Sequence, residues 1–324
     1  MEHKIIIDTL GSDKGAEEII KGAKLVLENY PKIKVCLVGD ESLIRNQDLD
    51  FSRVEIIDAP DTITNYDNPM VEFYSGKVVS IFKAMEELAK GESVGMITAG
   101  NSGAVLVGSV RYLLTKEKTR PCLSAIIPHS LGGYTLLVDT GASIDVSSYQ
   151  LHEFAKLGRD FFKRLYKVDN PRIGLLSNGS EPTKGNKLVK ETHKILAEDP
   201  SLNFVGNIEG NKTLSGLCDV LVCDGFAGNQ VLKNAEGMAV NLITEMVKYA
   251  KKNNEEAHIM PLVQYLMKTY DFESRGAGIV LGISHPVVKC RGSSGKEAIL
   301  SAASILINMS EDKNIYEGKD SHRR

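Results

Sequence analysis

The sequence predicts an α/β fold built on a mostly parallel sheet, and three observations carry that expectation. Six apolar, β-branched runs end abruptly in clusters of Gly, Ser, Asn and Asp: IIIDTLGSD (5–13), GMITAGNSGA (95–104), LLVDTGASID (136–145), IGLLSNGS (173–180), VLVCDGFAGN (220–229) and VVKCRGSSG (287–295). Amphipathic stretches of helical length alternate with such runs, the pattern of strands covered on both faces. The chain has 324 residues, 42% hydrophobic and 25% charged. That is enough to bury a substantial core, as one large domain or as two intertwined lobes.

In chain order, residues 5–8 read as a strand and 15–30 as a helix, with Ile19, Ile20, Ala23, Leu25, Val26 and Leu27 on one broad apolar face. Strands follow at 34–38 and 54–58. An amphipathic helix spans 78–89 and stops at Gly91, a C-terminal helix signal. The strand 95–98 leads through AGNSG into a helix at 103–114. Strands at 124–127 and 134–139 are separated by SLGGY, which suits a hairpin and so a locally antiparallel sheet. Helix 148–165, strand 172–176, helix 184–198, strands 204–206 and 220–223, and a long helix 230–251 continue the alternation. Residues 253–275 break it. This segment groups Ile259, Met260, Leu262, Val263, Leu266 and Met267, and is either a helix packed on the core or an arm for an apolar substrate, a second subunit or a membrane surface. The last residues, EGKDSHRR, read as a frayed tail.

Several function classes are excluded or weakened. With 39 basic and 42 acidic residues the net charge is −3, which removes any global argument for nucleic-acid binding. Cys36, Cys122, Cys218, Cys223 and Cys290 sit mostly in apolar runs without zinc-ligand spacing, so small buried hydrophobes in a reducing compartment are expected, and no metal. Asp8 interrupts the first apolar run too early for a signal peptide. The longest uncharged stretch, 94–110, is broken by Gly, Ser and Asn and does not suit a membrane span. A cytoplasmic protein is expected, with peripheral membrane attachment left open. No HExxH, GxGxxG or P-loop spacing occurs, and no GxSxG elbow either, because GESVG (91–95) leads from a helix into a strand; the seven histidines are scattered singly, so neither a nucleophile-and-base pair nor a nucleotide cofactor is indicated.

The strand-end loops suit an anionic ligand, because ligands of open parallel sheets bind beyond the carboxyl ends of the strands. AGNSGA is the best candidate: Gly100 and Gly103 allow close backbone approach, and Asn101 and Ser102 open a helix whose dipole favours negative charge. RGSSG supplies Arg291, Gly292, Ser293 and Ser294 directly after Lys289, a charge-assisted donor set. Lys184, Gly185 and Asn186 place a cation at a helix start, where the dipole alone would disfavour it. Asp8, Asp13, Asp139, Asp145 and Asp224 fall at strand ends, where acids bind metals, orient donors or, more commonly, cap helices. Such a site acts by positioning and electrostatics rather than by covalent catalysis.

In this order the strings resemble the PlsX family of phosphate acyltransferases, over about residues 5–305. The resemblance rests on AGNSGA with downstream Arg120–Pro121, GGYTLLVDTGA, NPRIGLLSNG followed by KGN-LVKE, NFVGNIEG, DVLVCDGFAGNQVLK and GSS. It implies a three-layer α/β/α fold, similar to phosphotransacetylases and isocitrate dehydrogenase-like enzymes, as a single unit with lobes 1–145 plus 285–324 and 146–284, and a homodimer. The implied reaction moves an acyl group from acyl carrier protein to inorganic phosphate, and a downstream membrane acyltransferase consumes the acyl phosphate. Carried onto this chain, Asn101, Lys184, Asn229 and Lys289 become the catalytic candidates. Asp8, Gly100, Ser102, Gly103, Asp139, Asn178, Gly185, Asn186, Asp224, Gly225, Gly228, Arg291, Gly292, Ser293 and Ser294 become the substrate and phosphate ligands.

The chain departs from the family in places. DAMGGD is DTLGSD, with Ser12 for a glycine; a basic stretch is EFYSGKVVS (72–80); an aromatic–Gly–Gly–Ala–Pro string is RGAGI (275–279); the residue before GSS is Arg291 rather than His; and GANVD is GASID. The weakened charge at 72–80 keeps a rival open, a phosphotransacylase using short-chain acyl-CoA or an enzyme-bound thioester as in glycine reductase complexes. A paralogue that only binds acyl carrier protein is the non-enzymatic rival.

Overall fold

The computed structural model describes residues 3–64, 66–115, 119–270 and 278–310. The end of the 253–275 segment, most of RGAGI and the EGKDSHRR tail therefore lie outside the described residues. The strands are β1 His3–Asp8, β2 Ile33–Gly39, β3 Val54–Asp58, β4 Gly95–Thr98, β5 Cys122–Pro128, β6 Tyr134–Val138, β7 Arg172–Ser177, β8 Asn203–Glu209, β9 Val220–Val222, β10 Gly278–Leu281 and β11 Val287–Lys289. The helices are α1 Ala16–Asn29, α2 Glu41–Arg45, α3 Pro69–Phe73, α4 Ser80–Leu88, α5 Ser102–Tyr112, α6 Ser148–Tyr166, α7 Lys187–Glu198, α8 Gly225–Asn253, α9 Glu256–Thr269 and, last, α10 Lys296–Met309.

Two compact units form, one from the described residues of Met1–Pro121 and Ala277–Arg324, the other from those of Cys122–Gly276. The divisions thus fall after Pro121 and Gly276 rather than after 145 and 284. Pairing explains the first of them, because β6 forms a hairpin with β5 and a parallel ladder with β9, which carries both early strands into the second unit.

In the first unit the strands run in the order β3-β2-β1-β4-β11-β10, with every pair parallel except β10 and β11. Consecutive residues of a strand point to opposite faces. Ile5, Ile6 and Ile7 are nevertheless all buried, so helices cover both faces of β1. Helix α4 packs on β1, β2 and β4, α1 on β2 and α10, and α10 on β4 and β11.

The second unit has the order β5-β6-β9-β7-β8, parallel apart from the β5–β6 hairpin that SLGGY predicts. Leu136, Leu137 and Val138 are all buried, as are Val220, Leu221 and Val222, so this sheet too is a middle layer. Helix α6 packs on β6 and β9, α7 on β7, β8 and α6, and α8 on β6.

Three expectations need correction. The helix expected from 184 starts at Lys187, because the Asn186 side chain accepts the Val189 N–H and caps it. The helix expected from 230 starts five residues earlier, at Gly225, where the Asp224 carboxylate accepts the Ala227 N–H. Of α9 only Val263 is fully buried, so the segment packs chiefly on α8 rather than in the core.

Candidate active site

In the first unit β1, β4 and β11 are parallel, and their carboxyl ends lie at one edge. Hydrogen bonds tie the three loops there. The Ser12 hydroxyl and the Asp13 N–H both donate to the Gly292 carbonyl, at 3.1 and 2.9 Å. The Cys290 N–H donates to the Thr98 carbonyl at 2.7 Å. Ser12, which departs from the expected glycine, therefore helps to hold the RGSSG loop.

Asp8 is fully buried at the end of β1. It accepts from the Thr98 hydroxyl at 2.7 Å, from the Ser80 hydroxyl and from the Leu10 N–H. Burial pushes its pKa up to about 6 against the pull of these donors. Thr98 Oγ1 in turn accepts the Gly100 N–H at 2.9 Å, so a relay from Asp8 fixes the start of AGNSGA. Asn101 caps α5 by accepting the Ala104 N–H at 3.1 Å, and its amide donates to the Thr64 carbonyl at 3.2 Å. Ser102 is exposed and Gly103 partly so, at the first turn of α5. In the third loop the Ser294 hydroxyl is buried and accepts the Arg291 N–H at 3.1 Å, while Ser293 is exposed. Lys289, Arg291 and Gly292 are partly exposed.

In the second unit β6, β9 and β7 are parallel, so the loops after them share one edge. Asp139 is buried and accepts four backbone N–H groups, from Leu123, Gly141, Ala142 and Ser143, at 3.2, 3.0, 3.0 and 2.7 Å. Desolvation raises its pKa and those four bonds oppose the rise. Its carboxylate organises the DTGAS loop rather than facing a ligand. The Gly225 N–H donates to the Ser143 carbonyl at 2.8 Å and the Asn229 amide to the Thr140 carbonyl at 3.2 Å, which anchors the first turn of α8 to that loop. At Gly228 a Cβ would run into the Asp139 carbonyl oxygen, so no larger residue fits there without movement.

The loop after β7 presents the lysine. The Asn178 Oδ1 accepts the Gly185 N–H at 2.8 Å, and Gly185 takes φ 97°, a conformation that glycine adopts without strain. Lys184 is exposed, and among the described residues nothing pairs with its ammonium. A pocket of about 460 Å³ is lined here by Ser177, Asn178, Gly185, Asn186, Asp224 and Ala227, among others.

The structure thus brings Asn178, Gly185, Asn186 and Asp224 around one pocket, with Lys184 on the same loop, and gathers Asp8, Gly100 and Asn101 at a second strand edge in the other unit. Four residues escape the sequence reading. Thr98 and Ser80 hold Asp8; Thr98 is a hydroxyl ending an apolar strand, and that is the only signal it gives. Asn207 is buried on β8 and braces the lysine loop by donating to the Glu181 carbonyl at 2.9 Å. Ser177 lines the pocket with a buried hydroxyl that has no hydrogen-bond partner among the described residues. All five cysteines are buried, and burial pushes Cys36, Cys218 and Cys290 up to about 12, which leaves them without thiolate character at neutral pH.

The fold is that of the phosphotransacylases. A phosphotransacetylase from Streptococcus pyogenes superposes with a TM-score of 0.62 at 16% identity, covering 95% of this chain and 93% of that one. A branched-chain phosphotransacylase from Enterococcus faecalis V583 gives 0.57 at 16%, covering 94% and 98%. At that identity the likeness concerns the fold alone. Sequence is more specific: the fatty acid synthesis protein family matches residues 3–316, and the chain belongs to that family, the PlsX family its motifs resemble. Among its relatives, the phosphate acyltransferase of Caldanaerobacter subterraneus subsp. tengcongensis is 35% identical over 305 residues, 92% of this chain and 91% of that protein. The phosphate acyltransferase of Halothermothrix orenii is 36% identical over 314 residues, 93% of each.

Proposed function

We infer that the chain is a phosphate acyltransferase that moves a fatty acyl group from acyl-acyl carrier protein to inorganic phosphate. It is an enzyme, an acyltransferase of fatty acid and phospholipid synthesis. The observation that carries the chemistry is the uncommitted Lys184 ammonium on a loop held by Asn178 and Gly185, beside a pocket lined by amide and hydroxyl groups.

Phosphate is already a nucleophile, so no activated side chain is needed. An oxygen of the phosphate dianion attacks the thioester carbonyl carbon, and the carbonyl electron pair moves onto oxygen. When the tetrahedral intermediate collapses, the C–S bond breaks and the pair leaves on sulfur, giving acyl phosphate and the carrier thiol once a proton is taken up. Charge develops on the carbonyl oxygen and on sulfur, and fixed donors aimed at that charge lower the barrier. In the second unit, Lys184 with the Asn186 amide and Asn229 are the groups assigned to this work; in the first, Lys289 and Arg291 form a separate cationic set. Asn101, Ser102 and Gly103 offer the α5 N-terminus to an oxyanion.

The finer assignments, an acyl carrier protein donor, a homodimer in the cytoplasm and a membrane acyltransferase as consumer, are part of the proposal. Trapping acyl phosphate with hydroxylamine tests it: long-chain acyl carrier protein with phosphate gives product, and short-chain acyl-CoA alone giving product would move the assignment to the rival donor. Lys184→Ala is expected to lower kcat by about 10²–10³, the usual cost of losing one such donor. Unchanged turnover in that variant would remove Lys184 from the site.

A further inference from the structure

The geometry points to a groove in the second unit as the sheath for the acyl tail, an inference that rests on the acyltransferase reading and specifies where its substrate lies. The groove has a volume of about 780 Å³, within the range of small-molecule sites. One wall is a stripe of α8 that includes Gln230, Val231, Ala235, Met238, Leu242 and Ile243; Leu214 from the loop after β8 and Leu266 of α9 contribute elsewhere in the lining.

Three features select a fatty chain. The groove adjoins the lysine-loop pocket, since Gly210 and Val231 line both. Its polarity is graded along α8: Gln230, Val231 and Asn234 come first, next to the Asn229 end, and beyond them the lining positions are all apolar, Ala235, Met238, Ala239, Leu242 and Ile243. Among the described residues no charged one lines it. A ligand matching this gradient has a polar head toward Ser177, Asn178 and Asn186 and an uncharged tail pointing away.

Length agrees as well. At 1.5 Å per residue the stripe from Gln230 to Ile243 runs about 20 Å. One membrane fatty chain spans about 15 Å, half of a bilayer core of roughly 30 Å. Met238 and Leu242 are more than half exposed, so an acyl tail laid along them removes apolar surface from water.

The test is displacement of a fluorescent fatty acid by saturated fatty acids of increasing length, with Ala235→Phe and Ala239→Phe as groove-filling variants and Val240→Ser as a control outside the groove. Each buried CH₂ is expected to tighten binding about fourfold. The rise should stop at shorter chains in both filled variants and be unchanged in Val240→Ser. Binding independent of length in the unmodified protein would overturn the proposal, whether or not acyl phosphate is made. So would filled variants that keep the full rise, or that change only the sedimentation of the protein, which would make the groove a contact between copies of the chain. Chain-length-dependent binding without acyl phosphate formation would sustain the groove and sink the catalytic reading instead.

Discussion

Asp8 shows how a single carboxylate can cost stability where it serves structure. Its pKa in the folded chain is raised to about 6 from the ordinary 3.8. Between those values the folded state binds more protons than the unfolded one, so stability falls as pH rises through this window and the deficit is complete above pH 6. The shift corresponds to about 3 kcal/mol at neutral pH. Asp8→Asn should therefore raise the urea midpoint at pH 8, with a smaller gain at pH 5. The same variant should lower turnover, because the Thr98 relay to Gly100 loses its charged anchor. An equal gain at both pH values would show that Asp8 does not titrate in that window. Ser177 is a second such case. Its buried hydroxyl has no partner among the described residues, so Ser177→Ala removes an uncompensated desolvation cost and should stabilise the fold by about 1–3 kcal/mol. A rise in KM for phosphate without loss of stability would place that hydroxyl on the substrate; an unchanged KM would release it from the site.

At the scale of elements, the loops are as tightly built as the strands that end in them. The first turn of α8 lies against the Asp139 loop, and Gly228→Ala would push a methyl into the Asp139 carbonyl. A loss of about 1–3 kcal/mol is expected, the usual range for overpacking, together with lower activity because Asn229 moves with that turn. Retained stability in a thermal melt would mean that the loop yields. Most of this scaffold was legible in advance. Apolar runs ending in Gly, Ser, Asn and Asp mark β1, β4, β6, β7, β9 and β11 because buried parallel strands must be apolar on both faces and their ends must turn sharply. The SLGGY hairpin follows from the same logic. Helix starts were less legible: Asn186 and Asp224 look like ligands in a list of residues, and only the geometry shows their oxygens spent on Val189 and Ala227 N–H groups. Thr98 and Ser177 were illegible because a lone hydroxyl at a strand end carries no pattern. The lobe boundaries were misplaced because nothing in the composition marks the point where a hairpin changes allegiance.

For the whole molecule, no described helix is long and apolar enough to cross a membrane. Outside the groove, the pair α8 and α9 exposes Tyr249, Leu262, Tyr265 and Met267. If the chain is the homodimer proposed above, Leu262→Glu combined with Tyr265→Glu should shift sedimentation from dimer to monomer. A dimer that survives both changes would move the contact elsewhere. The first unit carries a different consequence. Its strands β10 and β11 and its helix α10 come from the C-terminal segment, and Ile299 of α10 sits so close to Gly22 of α1 that a Cβ there would lie 2.6 Å from it. On the ribosome, β4 waits for β11, and the Ile19–Ile20–Ala23 face of α1 waits for α10, until Met309 has been made. The second unit is contiguous and has all its strands much earlier. Chains truncated just beyond residue 276 and released from the ribosome should therefore resist protease in the second unit while the first is still cleaved, so the part that holds the lysine loop matures before the part that precedes it in sequence.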